Sequence, residues 1–224
     1  MAESKEVPGS EANQVMAHFH KTSKSFDAIY EGNKSVVGRI INRLFRHSIA
    51  LRFGRVVQEV SQDKDATVLD VGCGAGRYAI ALAAAGVGKI RGVDFAENMI
   101  LEAIRRSKEM GLAHMCEFRQ IDFSKMPEAD TYDYVYAMGV LDYVSDPLSF
   151  VAKMHALSRK KTMISFPRRG GFVQWMRKQV FRWIKKCPVY FYTEQDVRNL
   201  AEKVGATRFS VELLAKDYFL ILEK

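Results

Sequence analysis

Short apolar runs and longer stretches with helical periodicity alternate along most of the chain. Ala66-Thr67-Val68-Leu69-Asp70-Val71 is apolar and β-branched and stops at a glycine, so it predicts a buried strand. Gly76 to Ala85, rich in alanine and leucine, predicts a helix, and Lys89 to Asp94 a second strand. Ala96 to Met110 predicts the next helix, with Gly111 as its stop. Met115–Ile121 and Tyr132–Met138 read as the third and fourth strands, Pro147–Leu157 as a helix, and Lys161–Phe166 as the fifth strand. Thr193 caps a helix running to Val204, with Glu194 and Asp196 in its first turn and Gly205 at its end. Phe209–Leu214 and Tyr218–Leu222 complete the strands. Upstream, Val36, Val37, Ile40, Ile41, Leu44 and Phe45 recur at helical spacing and continue to Val56, Val57 and Val60. They predict a long helix, broken or continuous, from about 35 to 60. Val15 to Tyr30 reads as a shorter helical cover carrying Phe19, Phe26 and Tyr30, after a loose polar tail over 1–14.

Strand and helix alternating with short links predict an α/β fold, a mostly parallel sheet with helices on both faces. Residues 15–224 form a single domain in this reading, with 15–60 as a helical cover and 167–192 as an insertion over the substrate cleft. Ligands of such sheets bind at the carboxyl ends of the strands, near the point where strand order reverses. Candidate chemistry should therefore follow strands.

Composition changes this picture little. The 224 residues are 48% hydrophobic and 27% charged, an ordinary globular balance. Cys73, Cys116 and Cys187 are odd in number and widely spaced, so neither a disulfide framework nor a zinc site is indicated. The start of the chain lacks the apolar core of a signal peptide, and no apolar run is long enough to span a membrane. A reducing cytoplasm is the expected compartment. Charge is more informative. The net charge is +8, and two stretches contain no acid. Gly32–Gln58 carries Lys34, Arg39, Arg43, Arg46, Arg52 and Arg55; Pro167–Thr193 carries Arg168, Arg169, Arg177, Lys178, Arg182, Lys185 and Lys186. Such runs are either solvated helix faces or the approach to an anionic partner.

Asp70-Val71-Gly72-Cys73-Gly74-Ala75-Gly76 lies between a predicted strand and a predicted helix. Glycines there let the backbone turn tightly and approach a ligand, and the N–H groups of the helix start favour an anionic group. Asp70 precedes the turn and is placed to accept from an ammonium group. Asp94 ends the second strand, where a carboxylate takes the hydroxyls of a ribose. A dinucleotide loop places its third glycine five residues after the first. Arg77 occupies that position, and the third glycine is Gly76 instead. GxGxG suits the methionine part of S-adenosylmethionine better than a pyrophosphate.

VLDVGCGAGRYAIALA resembles the first motif of class I S-adenosylmethionine-dependent methyltransferases, GVDFAENMI their second, and QIDFSKMP and YDYVYAMGVLDY their third and fourth. The resemblance covers roughly residues 66 to 166. It implies a Rossmann-like fold with a seven-stranded, mostly parallel sheet, and S-adenosylmethionine as cofactor with S-adenosylhomocysteine as product. Residue by residue, it implies that Gly72 and Gly74, with Cys73 and Gly76 in the same loop, line the methionine part near Asp70. It implies that Asp94 binds the ribose, that Phe95 and Met99 flank the adenine, and that Asp122 accepts from the adenine amino group with Phe123 beside the ring. Met138 and Gly139 fall near the sulfonium. The Phe-Pro-Arg-Arg turn after the fifth strand faintly resembles the magnesium-protoporphyrin O-methyltransferases, which esterify a carboxylate on an apolar ring.

In this chemistry the cofactor brings the reactive group, and the protein positions an acceptor and manages one proton. A hydroxyl acceptor gains from a base, whereas a carboxylate needs none. Asp142 and Tyr143 after the fourth strand and Tyr30 in the cover are the acid–base candidates; both tyrosines read more readily as an aromatic lid over the cofactor. His18 and His20 read as surface histidines. No metal-ligand constellation is evident, and the Ala137-Met138-Gly139-Val140 stretch lacks the NPPY-type sequence of adenine and glutamine amine methylators. Phe172, Trp175, Met176, Gln179, Val180, Trp183 and Ile184 repeat at helical spacing, mostly opposite Arg177, Lys178, Arg182, Lys185 and Lys186. Such a basic amphipathic helix is a cover of the cleft, a lid gripping an anionic substrate, or a membrane-surface element. Arg168, Arg169, Trp175, Tyr190 and Tyr192 are the candidate substrate residues. The leading expectation is methyl transfer, with O-methylation favoured, to a small apolar or anionic molecule. Nucleic acid is not the expected partner. The alternatives are an RNA or protein methyltransferase, and a non-catalytic protein that retains the cofactor pocket.

Overall fold

The computed structural model describes residues 36–170 and 189–224, with side chains from residue 47 onward in the first segment. The expected cover helix over 15–30, the tail and the amphipathic helix over 172–186 lie outside the described residues, as do Tyr30, Trp175, His18, His20 and Cys187.

The chain opens on helix α1 (Val36–Val60), then β1 (Thr67–Val71), α2 (Arg77–Ala84), β2 (Lys89–Asp94), α3 (Glu97–Glu109) and β3 (Cys116–Gln120). A single 3-10 turn, Phe123–Lys125, leads to β4 (Tyr132–Ala137), α4 (Pro147–Leu157) and β5 (Ser158–Pro167). Helix α5 (Glu194–Lys203) and strands β6 (Arg208–Leu214) and β7 (Asp217–Glu223) follow. The strands form one sheet in the order β3-β2-β1-β4-β5-β7-β6. All pairings are parallel except β5 with β7 and β6 with β7. Strand order reverses between β1 and β4, which makes the carboxyl ends of that pair the crevice.

Local chemistry explains the boundaries. Asp146 caps α4 through the Ser149 N–H, and Pro147 occupies its first turn. Thr193 and Asp196 form a reciprocal capping box at the start of α5. Two features depart from the sequence expectation. β5 begins at Ser158, directly at the end of α4 and three residues before the predicted Lys161, because Ser158 pairs with Tyr132 across a register shift. The turn Phe123–Lys125 was not expected; Asp122 caps it by accepting the Ser124 N–H.

Both sheet faces are covered, as alternating side chains require. Tyr136, Met163, Phe219 and Ile221 point to one face and pack with Val56 and Val60 of α1, Leu82 of α2 and Ile100 of α3. Their neighbours Val135, Ile164, Leu220 and Leu222 point to the other and pack with Val151 and Met154 of α4 and Val197 and Leu200 of α5. Each such side chain, once withdrawn from water, contributes about 1.5–3 kcal/mol. At the amino ends of the strands, charges are closed off in pairs. Asp133 accepts from the Thr67 N–H at 2.9 Å and pairs with Arg159 at 3.1 Å. Burial opposes its ionisation, yet these partners hold it down at about 2. No described helix is long and apolar enough to cross a membrane.

Candidate cofactor and acceptor site

The loop between β1 and α2 turns on three glycines with positive φ: Gly72 at 69°, Gly74 at 51° and Gly76 at 73°. Their environments differ. A side chain at Gly72 would run into Val140 Cγ2, in the segment after β4. A Cβ at Gly76 would lie 2.8 Å from Phe118 Cζ, so that glycine lets α2 close onto the sheet. A Cβ at Gly74 would meet nothing within 4 Å. The crest of the loop therefore opens into free space, and a ligand could approach its backbone there. Cys73 contributes backbone only: its N–H donates to Val93 O at 3.1 Å, and its thiol packs in the core near Gly92. Burial pushes that thiol well up.

Asp70, on β1, is buried at 3% exposure, and its Oδ2 has no hydrogen-bond partner. The Tyr136 hydroxyl lies beside it outside good hydrogen-bond geometry, yet close enough to act on the carboxyl and oppose the effect of burial. Burial, followed by the charge of Asp94, pushes the Asp70 carboxyl up to about 8. Native structures seldom leave a buried acceptor unanswered.

Asp94 ends β2 and reaches back to the loop. Its Oδ2 accepts the Gly74 N–H and its Oδ1 the Ala96 N–H, each at 2.9 Å. Burial raises its pKa against these hydrogen bonds. Each oxygen keeps a lone pair for a further donor. Beside it, Ala75, Ala96 and Met99 form a small apolar cluster against which Phe95 packs. The expected cofactor residues Asp70, Gly72, Gly74, Gly76, Asp94, Phe95 and Met99 are thus brought to one loop and the strand end beside it. Asp122 is half-exposed at the same edge, with Oδ1 engaged by Ser124. Phe123 is buried and meets Phe150 edge-on at 4.9 Å, so its ring serves the packing of α4.

At the end of β4, Met138 packs half-buried against the first core, and Gly139 turns with φ 76°. Here three residues converge that the sequence did not single out as site residues. Ser165 Oγ, on β5, accepts the Gly139 N–H at 2.8 Å and Arg52 Nη1 at 3.1 Å. Arg52 projects from α1 and also lies 3.5 Å from Asp217 Oδ2, at the start of β7. Arg52 entered the sequence reading only as part of a basic run. Arg55 of the same run is neutralised by Glu59, one helical turn on, and by Glu212, a partner that sequence spacing could not reveal.

The return segment after 189 closes against the same strand ends. The Tyr190 N–H donates to Asp142 O at 2.8 Å, and the Tyr192 N–H to Pro167 O at 2.9 Å. Asp142 is buried and Tyr143 half-buried, and both are engaged by neighbours. Tyr192 is buried against Phe166 at 5.0 Å, with its hydroxyl donating to Leu141 O at 3.2 Å. Burial, then Asp142, pushes its phenol up. Tyr192 therefore acts as core, while Tyr190 stays half-exposed. Arg169 donates to Phe191 O and faces Asp196 at 3.5 Å; Arg168 is exposed just beyond β5. Among the described residues, no cluster of three or more histidine, cysteine or acidic side chains is placed to hold a metal.

Residues 62–205 match the family model described as a methyltransferase domain. A tRNA U34 carboxymethyltransferase of Shewanella baltica (strain OS155 / ATCC BAA-1091) is 30% identical over 105 residues, 46% of this chain and 31% of the relative. One from Actinobacillus pleuropneumoniae serotype 3 (strain JL03) is 27% identical over 157 residues, 69% of this chain and 49% of that one. The chain thus spans between about a third and a half of the length of the curated relatives it matches. Among solved structures, magnesium protoporphyrin IX methyltransferase from Synechocystis PCC 6803 with bound SAH superposes with a TM-score of 0.74 at 22% identity, covering 95% of this chain and 98% of that one. The [4+2]-cyclase SpnF superposes with a TM-score of 0.66 at 19% identity, covering 92% and 76%. These two likenesses establish the fold.

Proposed function

We propose that this chain, which belongs to the methyltransferase domain family, transfers a methyl group from S-adenosylmethionine to a small-molecule acceptor that is apolar, anionic or both, with oxygen as the favoured target. The observation that carries the reading is the loop from Gly72 to Gly76, open at its crest, preceded by the unpartnered Asp70 Oδ2 and clamped to Asp94.

The residues present fit the cofactor. A buried acceptor without a donor suits the ammonium group of the methionine part. The remaining lone pairs of Asp94 suit the ribose hydroxyls. Phe95 and Met99 offer an apolar wall for the adenine, and Asp122 lies at its edge. When bound, S-adenosylmethionine supplies an activated methyl group on its sulfonium. The chain's own work is to orient and to exclude water. Val140, packed over Gly72, ties the end of β4 to the loop, and Ser165 fixes the peptide of Gly139 at the transfer end. Asp142 and Tyr143 are the proposed acid–base groups for a hydroxyl acceptor; a carboxylate acceptor needs neither. Arg168 and Tyr190 are the proposed acceptor contacts among the described residues.

Calorimetry with S-adenosylhomocysteine tests the reading. Binding at about micromolar strength or tighter is expected. No binding at millimolar ligand ends it.

A second reading, an RNA acceptor, is favoured by the names of the curated relatives and by the net charge of +8. Label passing from the cofactor into bulk tRNA, with binding that falls steeply with salt, would establish it.

A further inference from the structure

Arg52 stands apart from the other cations of the described residues. Its side chain is nearly withdrawn from solvent, at 12% exposure. A guanidinium presents five N–H donors. Among the described residues Arg52 uses one of them, from Nη1 to Ser165 Oγ. Its Nε is buried and completes no hydrogen bond, but it forms an ion pair with Asp217 Oδ2, 3.5 Å away. That oxygen also accepts the Ser48 hydroxyl at 2.6 Å. Asp217 thus holds the guanidinium in place electrostatically and leaves most of its donors open. Nε alone is buried without a hydrogen bond, so the remaining open donors of the fork are placed to meet an anion.

Ser165 anchors that guanidinium. Its oxygen already accepts from Arg52 and from the Gly139 N–H. At 1% exposure the hydroxyl is enclosed, so it positions Arg52 and the Gly139 peptide rather than meeting a ligand itself. Both groups lie at the carboxyl ends of β4 and β5. Arg52 Nη1 is 3.5 Å from the position a Cβ on Gly139 would take, and Gly139 is itself half-exposed. A guanidinium fork matches a planar carboxylate. A dianionic phosphate would sit against Asp217, so the local charge suits a monoanion better.

We propose that Arg52, held in place by Ser165 and Asp217, binds a carboxylate of the acceptor beside Gly139 at the carboxyl ends of β4 and β5. The inference rests on the methyl-transfer reading, which puts the acceptor next to Gly139. It names the chemistry by which an anionic acceptor is held, and it adds a contact on the first described helix to those proposed after β5.

The test follows the Arg52 Nε–Hε resonance in the 15N-labelled full chain, saturated with S-adenosylhomocysteine and titrated with sodium propionate. The resonance is assigned by its loss in Arg52→Lys. A shift saturating at roughly millimolar propionate is expected. Propionamide should produce none, and Ser165→Ala should weaken the apparent affinity about fivefold, as loss of the one hydrogen bond that orients the guanidinium does. No saturable shift, or the same shift with propionamide, overturns the proposal. If the unaltered chain fails to bind S-adenosylhomocysteine by calorimetry, the methyl-transfer reading fails, and this proposal with it. Normal cofactor binding with a silent Arg52 resonance removes this proposal alone.

Discussion

The carboxylate of Asp94 and the peptide of Gly74 are joined by a 2.9 Å hydrogen bond, so the residue expected to meet the ribose also sets the shape of the loop. The other oxygen accepts from Ala96. Asp94→Asn keeps a side chain of the same shape but replaces one of these acceptors with an N–H₂ donor and removes the charge. S-adenosylhomocysteine affinity should fall about 10- to 100-fold, the worth of charge-assisted hydrogen bonds. Calorimetry measures it; an unchanged affinity would remove Asp94 from the site.

Asp70 should make cofactor binding depend on pH. With its carboxyl pushed up to about 8 by burial and by Asp94, it is protonated in the empty site at neutral pH. An ammonium group beside it favours the ionised form, so binding releases a proton. Affinity should therefore rise from pH 6 to pH 8 and level off above. Titrations in buffers of different ionisation enthalpy would count the proton, and Asp70→Asn should abolish the release.

The same residue affects stability with a definite sign. Its folded pKa is above the ordinary value of 3.8, so the native state holds a proton that the unfolded chain gives up between about pH 4 and 8. Stability of the empty protein should fall as pH rises through that window, by at most about 1.4 kcal/mol per pH unit from this group. Denaturant melts of the parent and of Asp70→Asn across pH 5 to 8 would isolate it as the difference in slope.

Gly76→Ala should destabilise the fold by about 2 kcal/mol or more, since positive φ and a filled neighbourhood act together. Gly74→Ala should cost less, because only φ opposes it. Thermal melts would rank the two. S-adenosylhomocysteine binding should show a large loss for Gly74→Ala, whose added methyl group enters the open crest.

Tyr192→Phe should lower stability by about 1 kcal/mol, the worth of its buried hydrogen bond to Leu141 O. It should leave the KM for the acceptor unchanged. A selective rise in KM would return Tyr192 to the acceptor pocket.

Much of this was legible along the chain. The run into Gly72, the acid at Asp94, Pro147 at a helix start and the Thr193 capping box are short-range signals. Strand, turn and cap residues declare themselves through backbone preference and the spacing of apolar positions, both settled within a few residues. The loop chemistry could be read because loop and acid follow consecutive strands of one parallel unit.

What the sequence alone determined was the set of elements, their order along the chain and the glycine loop with its acid. Only the tertiary structure decided that β7 runs antiparallel between β5 and β6, which carries Asp217 to the edge of the crevice. It likewise sent Phe123 and Tyr192 into the core, paired Arg55 with Glu212, and set Arg52 beside Ser165, 113 positions away. The physical reason is range. Periodicity and capping are energies of neighbours in the chain, whereas the meeting of Arg52, Ser165 and Gly139 depends on strand order, which is fixed by burying both faces of the sheet at once.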